Sequence, residues 1–483
     1  MFKILKELEK LKQFSIESKL LGCEKYAQRL MKSDTLDLSI IATGDGVAPT
    51  ELEIFSLFSI VFDTGSNTPL DTKTFSQIIT EIRNYWHPKL NQAIADGDYA
   101  DNFMMICGLT QFAVQGNIVQ RLYRYDYFFH FINENINMPN VFECKFGSGF
   151  DDFEIFVFTV YLILSAKNVG NPTIPLSYIF KKYKNVMDVL TINTDSFIRE
   201  LKGLYGDKFI DYFYGLKIQY LFPFIEATDG IYIPLPYLLI NAATESLLNR
   251  LTEGNNTLRG AIGKNVIENY LFDIYSEIKS IRLISPEIDY KIGRQPWLSP
   301  DVIVVENDCC IMFDTKAITP SIKLREFSRE KIEETALILG DNVSKIYKQI
   351  VNYLNGHFTI GYDIKKENIF GVVVVLEDCY ISRKRIIECA ISKLEQNGPI
   401  EETEKQYIYS NIKVISLREV ESAVLQNTSY LPALISQRDE PNRWFDLSFC
   451  NPTVENGVIG SLDSFLEMLK SKYVMLIKEI DAE

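Results

Sequence analysis

The chain has 483 residues, 47% of them apolar and 24% charged, and carries a formal net charge of −14. That is length for two or three domains with sizeable cores, and the profile of a soluble globular protein rather than a disordered one. The acidic balance argues against a surface coated in basic residues for nonspecific nucleic-acid binding, but leaves room for a local basic cleft.

Eight cysteines are scattered without a CxxC pair, so zinc ribbons and iron–sulfur sites lack their spacing. They read as free thiols in a reducing cytoplasm. Three histidines, His87, His130 and His357, have no His or carboxylate partner at metal-binding spacing, and no GxSxG elbow accompanies them. This disfavours zinc hydrolysis, HD-type phosphohydrolysis, His–metal nucleases and a serine triad.

Residues 1–33 begin with an amphipathic helical stripe of Ile4, Leu5, Leu8 and Leu11, with no apolar run suited to a signal peptide. From about 50 to 250 the pattern is mainly helical, with helices expected over 50–62, 72–86, 101–121, 153–166 and 195–214. Asp151, Asp152 and Glu154 sit where they would cap the positive end of the fourth. That helix is too short for a transmembrane span. The stretch 121–130 interleaves arginines with aromatics and reads as a core-edge segment, or less readily as a stacking surface for single-stranded nucleic acid. Residues 231–236 read as an irregular connection before a helix over 237–251. The Gly- and Asn-bearing stretch 252–257 reads as a domain boundary.

Gly260–Ala–Ile–Gly–Lys264 lacks the spacing of a phosphate-binding loop. Residues 260–280 instead have helical period and carry Glu268. A strand is expected over 281–292, with Glu287 and Asp289 on one face. Then come two β-branched runs, 302–305 and 311–313, around a Glu306-Asn307-Asp308 turn, which is a β-hairpin pattern. Asp301 opens the first strand. Asp314 and Lys316 close the second and point the same way. Charged residues ending an apolar strand are costly to bury unpaired. A divalent cation between Asp301 and Asp314, with Lys316 beside it for a phosphate or an attacking water, would offset that cost. Both aspartates are suitable ligands for Mg²⁺, with Mn²⁺ able to substitute, and the Thr315 carbonyl is a third.

A charged insertion follows over 318–341, whose Lys323, Arg325, Arg329 and Lys331 are countered by Glu326, Glu330, Glu333 and Glu334. Residues 341–355 form a helix that Asp341 or Asn342 can cap, with Gln349 and Tyr353 on one face. A buried strand over 369–376, a helix over 382–396, a short strand over 412–416, a helix over 418–426 and a closing amphipathic helix from Leu462 complete the chain.

Pro300-Asp301 followed by Asp314-Thr315-Lys316 resembles the core of the PD-(D/E)xK nuclease superfamily, the restriction-endonuclease-like fold, over about residues 255–425. Gly263-Lys-Asn-Val-Ile-Glu268 looks like that superfamily's acid-bearing first helix, and Gln349-x-x-x-Tyr353 is similar to the motif of its RecB-like branch. The resemblance implies that Glu268 completes the metal site, and that Gln349 and Tyr353 position the site and the substrate. It implies an α/β nuclease domain, a mixed central sheet flanked by helices, over 253–430. A mainly helical sensing or partner-binding region would precede it over 1–252, and a mixed extension would follow over 431–483.

The expected function is a Mg²⁺-dependent nuclease acting on DNA rather than RNA, in the cytoplasm and in bacterial antiviral defence by analogy. A protein partner or a second copy of the chain is expected beside the nucleic acid, and no membrane. A non-catalytic protein-binding scaffold on the same fold is the alternative.

Overall fold

The computed structural model describes residues 2–31, 46–95, 118–166, 176–209, 211–214, 217–321, 324, 329–424, 427–438 and 459–482. Among the described residues the protein is mixed helix and sheet, 64% helical, with mixed sheets and no barrel. Among the described residues no helix is long and apolar enough to cross a membrane. Packing divides the chain into one unit of residues 1–132, 137–254 and 467–483 and another of 133–136 and 255–466. The break after Gly254 falls in the stretch expected to be a boundary. Residues 431–483 form no separate unit: Glu467 onward counts with the first unit and the preceding part with the second.

The first unit is built from helices, among them Ile16–Leu30, Pro49–Val61, Thr72–Ala95 and Phe150–Ala166. Residues 101–117 of one expected helix lie outside the described residues. The stretch 121–130 falls in the helix Ile118–His130, whose Tyr125, Phe128 and Phe129 are fully buried. It is therefore core, with Phe129 packed 4.6 Å from Phe142, and not a stacking surface. Glu154 does not cap its helix. It lies one turn in, fully buried, with its carboxylate 3.3 Å from Lys472.

The unit also holds a three-stranded sheet, β1 (Thr191–Asn193), β2 (Phe224–Ala227) and β3 (Gly230–Tyr232); β3 takes the first two residues of the expected connection at 231–236, and residues 233–235 are irregular as expected. Strands of three or four residues are too short to display period-two alternation. The helix expected over 237–251 is broken at Thr244, which takes φ −120° and ψ −97°.

The second unit is organised by a five-stranded sheet, ordered β10–β9–β8–β7–β4. Its strands are β4 (Ile281–Pro286), β7 (Val302–Glu306), β8 (Cys309–Lys316), β9 (Ile369–Val375) and β10 (Ile412–Ser416). The expected hairpin is β7–β8, antiparallel from Val302↔Phe313 to Glu306↔Cys309, closed by Asn307 at φ 52°. β8, β9 and β10 run parallel. β7 and β9 are buried along their whole length, so both sheet faces are covered. The strand expected over 281–292 is instead two strands. β5 (Asp289–Ile292) leaves the main sheet after Pro286 and pairs with β6 (Gln295–Leu298) as a two-stranded ribbon.

The helices of this unit are α1 (Asn256–Ile262), α2 (Glu268–Ser276), α3 (Arg329–Leu354), α4 (Arg383–Glu395), α5 (Glu402–Asn411), α6 (Leu417–Val424) and α7 (Leu431–Arg438). α3 begins twelve residues before the expected start, so neither Asp341 nor Asn342 caps it. Asn342 Nδ2 donates to the Ile338 carbonyl at 2.9 Å, and Asp341 pairs with Lys345 at 3.1 Å. Gly340, which precedes the expected helix, is where α3 crosses α4. A Cβ there would lie 2.6 Å from Cys389 Cβ and 2.9 Å from the Ala390 nitrogen. Of the basic residues of the charged insertion, Lys323 and Arg325 lie outside the described residues, and Lys331 is paired with Glu334.

Gly340→Ala should therefore destabilise the second unit by about 1–3 kcal/mol, the usual cost of overpacking against backbone. A urea titration would show this as a lowered midpoint. An unchanged midpoint would mean that the helix crossing opens without cost.

Candidate functional site

The site is set by strand register. The pairing of Val302 with Phe313, continued by one step, sets Asp301 opposite Asp314. Both are buried, at 9% and 7% exposure, as is Thr315. Asp301 Oδ2 accepts the Thr315 N–H at 2.6 Å and the Thr315 hydroxyl at 3.1 Å, which fixes its carboxylate to the end of β8. The Lys316 ammonium lies 2.7 Å from Asp314 Oδ2 and donates to the Thr315 carbonyl at 2.9 Å. Asp314 Oδ2 is buried, and the ion pair with Lys316 is the contact it makes.

Glu268 arrives from the helix before the sheet. Between α1 and α2 the chain makes one π-helical turn, Gly263–Ile267, and Glu268 is the first residue after it. Such turns insert an extra residue and change which side chains face a neighbour. Gly263 abuts the strand end, where an added Cβ would lie 3.6 Å from Ala317 Cβ. Arg259, one turn earlier, donates to the Ala317 carbonyl at 3.0 Å.

The electrostatics follow from burying acids together. Burial, then the Asp314 charge, raises the Asp301 carboxyl to about 6, against the opposing pull of Lys316 and the Thr315 hydrogen bonds. Burial, then the charges of Asp301 and Glu287, raises Glu268 to about 8, against Lys264 and Lys316. Glu287, just past the end of β4, thus belongs to the site's field and lies 3.7 Å from Lys264. Asp289 is exposed, at the start of the ribbon. The pair was expected on one face of a single strand. The chain's departure after Pro286 is what separates them. Lys264 carried no signal in the sequence beyond a spacing that failed as a phosphate loop.

Gln349 and Tyr353 do not touch the carboxylates. Gln349 Nε2 donates to the Leu298 carbonyl at 3.1 Å, holding the chain three residues before Asp301, and its Oε1 is buried without a partner. The Tyr353 hydroxyl donates to the Tyr362 carbonyl at 2.6 Å and anchors a loop.

The donors suit a hard divalent cation: two carboxylates at the ends of adjoining strands, a backbone carbonyl, and a third carboxyl whose hold on its proton is raised by burial and by the neighbouring acids. The Lys316 ammonium bridges Asp314 Oδ2 and the Thr315 carbonyl, two of the oxygens expected as ligands. Among the described residues no group of three or more His, Cys, Asp or Glu side chains converges closely enough to form a metal cage by itself. Comparison of the chain with protein families, with curated proteins and with solved structures found no match in any of the three.

A carboxyl whose folded value is raised favours folding while protonated, and loses that contribution as pH rises through the folded value. Glu268→Gln should therefore melt higher than the parent at pH 8–9 in EDTA, with the difference closing toward pH 5. A difference that widens toward pH 5 would contradict the burial of Glu268 among like charges.

Proposed function

We propose that the chain is a metal-dependent nuclease that hydrolyses phosphodiester bonds, with DNA rather than RNA as substrate. The observation that carries this reading is the meeting of Asp301, Asp314 and Lys316 at the end of the β7–β8 hairpin, with Glu268 near enough for the charges to act on one another. Asp301, Asp314 and the Thr315 carbonyl would hold Mg²⁺ or Mn²⁺, and Glu268 would reach it through water or a second ion. A bound cation there supplies charge neutralisation at the phosphoryl oxygens and a more acidic water. Lys316 would then be freed from Asp314 to stabilise the charged phosphoryl group or to orient the attacking water. Gln349 acts at one remove, by fixing the Leu298 carbonyl ahead of Asp301.

By analogy with the superfamily it resembles, the chain would serve in bacterial antiviral defence in the cytoplasm, its first unit sensing a target, a protein partner or another copy. The second reading, a non-catalytic scaffold, draws on the absence of a preformed metal cage among the described residues and on the Lys316–Asp314 pair, which satisfies part of the site without an ion.

Lys316→Ala and Asp314→Ala should each lower cleavage of linear and circular DNA by more than ~10²-fold, the scale of losing one dedicated group. Both should keep the parent's circular dichroism. Mg²⁺ or Mn²⁺ should raise the parent's melting temperature, and Asp314→Ala should abolish that rise. A parent chain that neither cuts nor responds to either ion would leave the scaffold reading standing.

A further inference from the structure

The ribbon β5–β6 stands immediately before Asp301 in the chain, and its strands are tied down only at their base and along one side. The Ser299 N–H donates to the Ile288 carbonyl at 3.0 Å, and the Ile288 N–H to Ser299 Oγ at 2.8 Å, closing the base. Asn352 of α3 donates to the Tyr290 hydroxyl at 2.8 Å, and the Tyr290 ring packs 5.0 Å from Phe358. The Gln349 bond to Leu298 completes the anchorage. Tyr290 is the ribbon's one buried side chain. Beyond it the ribbon is exposed, and its tip turns through Gly293 at φ 62°.

What it exposes is unusual for a solvated hairpin. Trp297 and Leu298 are 36% and 41% exposed, where large apolar groups gain nothing from water. Between Asp289 and Asp301 the chain carries Lys291 and Arg294 and no acid, although the protein as a whole has a net charge of −14. Among the described residues neither cation has an ion-pair partner. Gln295 and Trp297 share one face, with Arg294 beside them at the tip.

We propose that the β5–β6 ribbon enters the major groove of duplex DNA and seats the duplex at the Asp301–Asp314 site, an inference that rests on the nuclease reading. The dimensions agree. B-DNA's major groove, about 12 Å wide and 8.5 Å deep, admits a two-stranded ribbon. Beyond the anchored Tyr290, two residues per strand at about 3.3 Å each, with the turn at Gly293, reach roughly 7–10 Å, comparable to the groove's depth. The chemistry agrees as well. Arg and Gln are the side chains that bond purine edges in that groove, Lys291 meets phosphate, and the Trp297 ring offers apolar surface to a thymine methyl group. The deep, narrow major groove of A-form RNA would exclude the ribbon, so the inference assigns the substrate class as double-stranded DNA.

The test separates ribbon from chemistry. In the Lys316→Ala background, binding of a 30-base-pair duplex, the matching single strand and the matching duplex RNA is measured by fluorescence anisotropy. Arg294→Ala and Trp297→Ala are then added singly and together, and Lys291→Ala separately. The Arg294→Ala/Trp297→Ala pair should weaken duplex DNA binding by about tenfold or more, and Lys291→Ala should lower the salt dependence. Single-strand and RNA binding should be unchanged. The same ribbon changes in the otherwise native chain should keep the Mg²⁺-dependent melting shift. Cutting and duplex binding that are indifferent to the ribbon would overturn this inference and leave the nuclease reading intact. Ribbon-dependent duplex binding by a chain that never cuts would support the groove contact and overturn the nuclease reading instead.

Discussion

The second unit turns on one constraint: two carboxylates placed opposite each other at the buried end of an antiparallel pair. Register alone does this, because the pairing that buries Val302–Val305 against Cys310–Phe313 carries Asp301 to the level of Asp314. Both faces of β7 are buried, so the tight turn between Glu306 and Cys309, with Asn307 at φ 52°, is what fixes the register and with it the acidic pair. Like charges held close and dry repel far more strongly than in water. Lys316 offsets one of them, and Thr315 supplies hydrogen bonds to the other. Glu268 then adds a third acid to the same field, and Glu287 a fourth.

The rest of the unit holds this arrangement rigid. β8 lies between β7 and β9, so the strand bearing Asp314 and Lys316 is hydrogen-bonded on both sides. α3 approaches β9 closely because Gly371 presents no side chain: a Cβ there would lie 3.0 Å from Ile350 Cδ1 and 3.4 Å from Ile346 Cγ2. That approach places Gln349 and Tyr353 beside the segment they anchor. At the far edge, Arg383 donates to the carbonyls of Tyr409 and Ile412, and Lys413 to that of Gln437 at 3.2 Å. These buried cations satisfy carbonyls at the ends of α5 and α7, where the helix dipoles favour positive charge. The cost falls on Lys413, which burial and then the Arg383 charge lower to about 6.

Much of this sheet was legible in the sequence because its strands are long enough, and apolar enough, to show themselves. The hairpin around Asn307, the all-apolar β9 and the short β10 were each readable from β-branched runs between turn formers. The hairpin pattern brought Asp301 and Asp314 to the same end, and strand alternation put Asp314 and Lys316 on one face. What stayed hidden depends on partners distant in sequence. Gly340 lies just outside the helix read from the sequence, yet it is a crossing point within α3 whose reason is Cys389. Residues 281–292 read as one strand, because nothing local shows the chain leaving β7 after Pro286 to pair with residues 295–298. The π-helical turn before Glu268 has no composition signature. Lys413, surrounded by apolar residues in β10, looks in sequence like an ordinary solvent-facing lysine.

The two functional readings differ in how they account for the acids. A scaffold gains nothing from burying Asp301 and Asp314 side by side, since apolar residues of similar volume at those positions would be as stable or more so. The observed set instead leaves more acids than cations: carboxyls pushed up to about 6 and about 8, with Asp314 and Glu287 beside them and the Lys316 and Lys264 ammoniums to offset four carboxylates. A deficit of positive charge among oxygen donors is what a divalent cation offsets, and a phosphodiester arriving with its own negative charge would raise the demand further. Lys316 can meet that demand only by leaving Asp314, which a cation bound to the carboxylates would permit. On the nuclease reading the ammonium and the ion would be alternatives at Asp314.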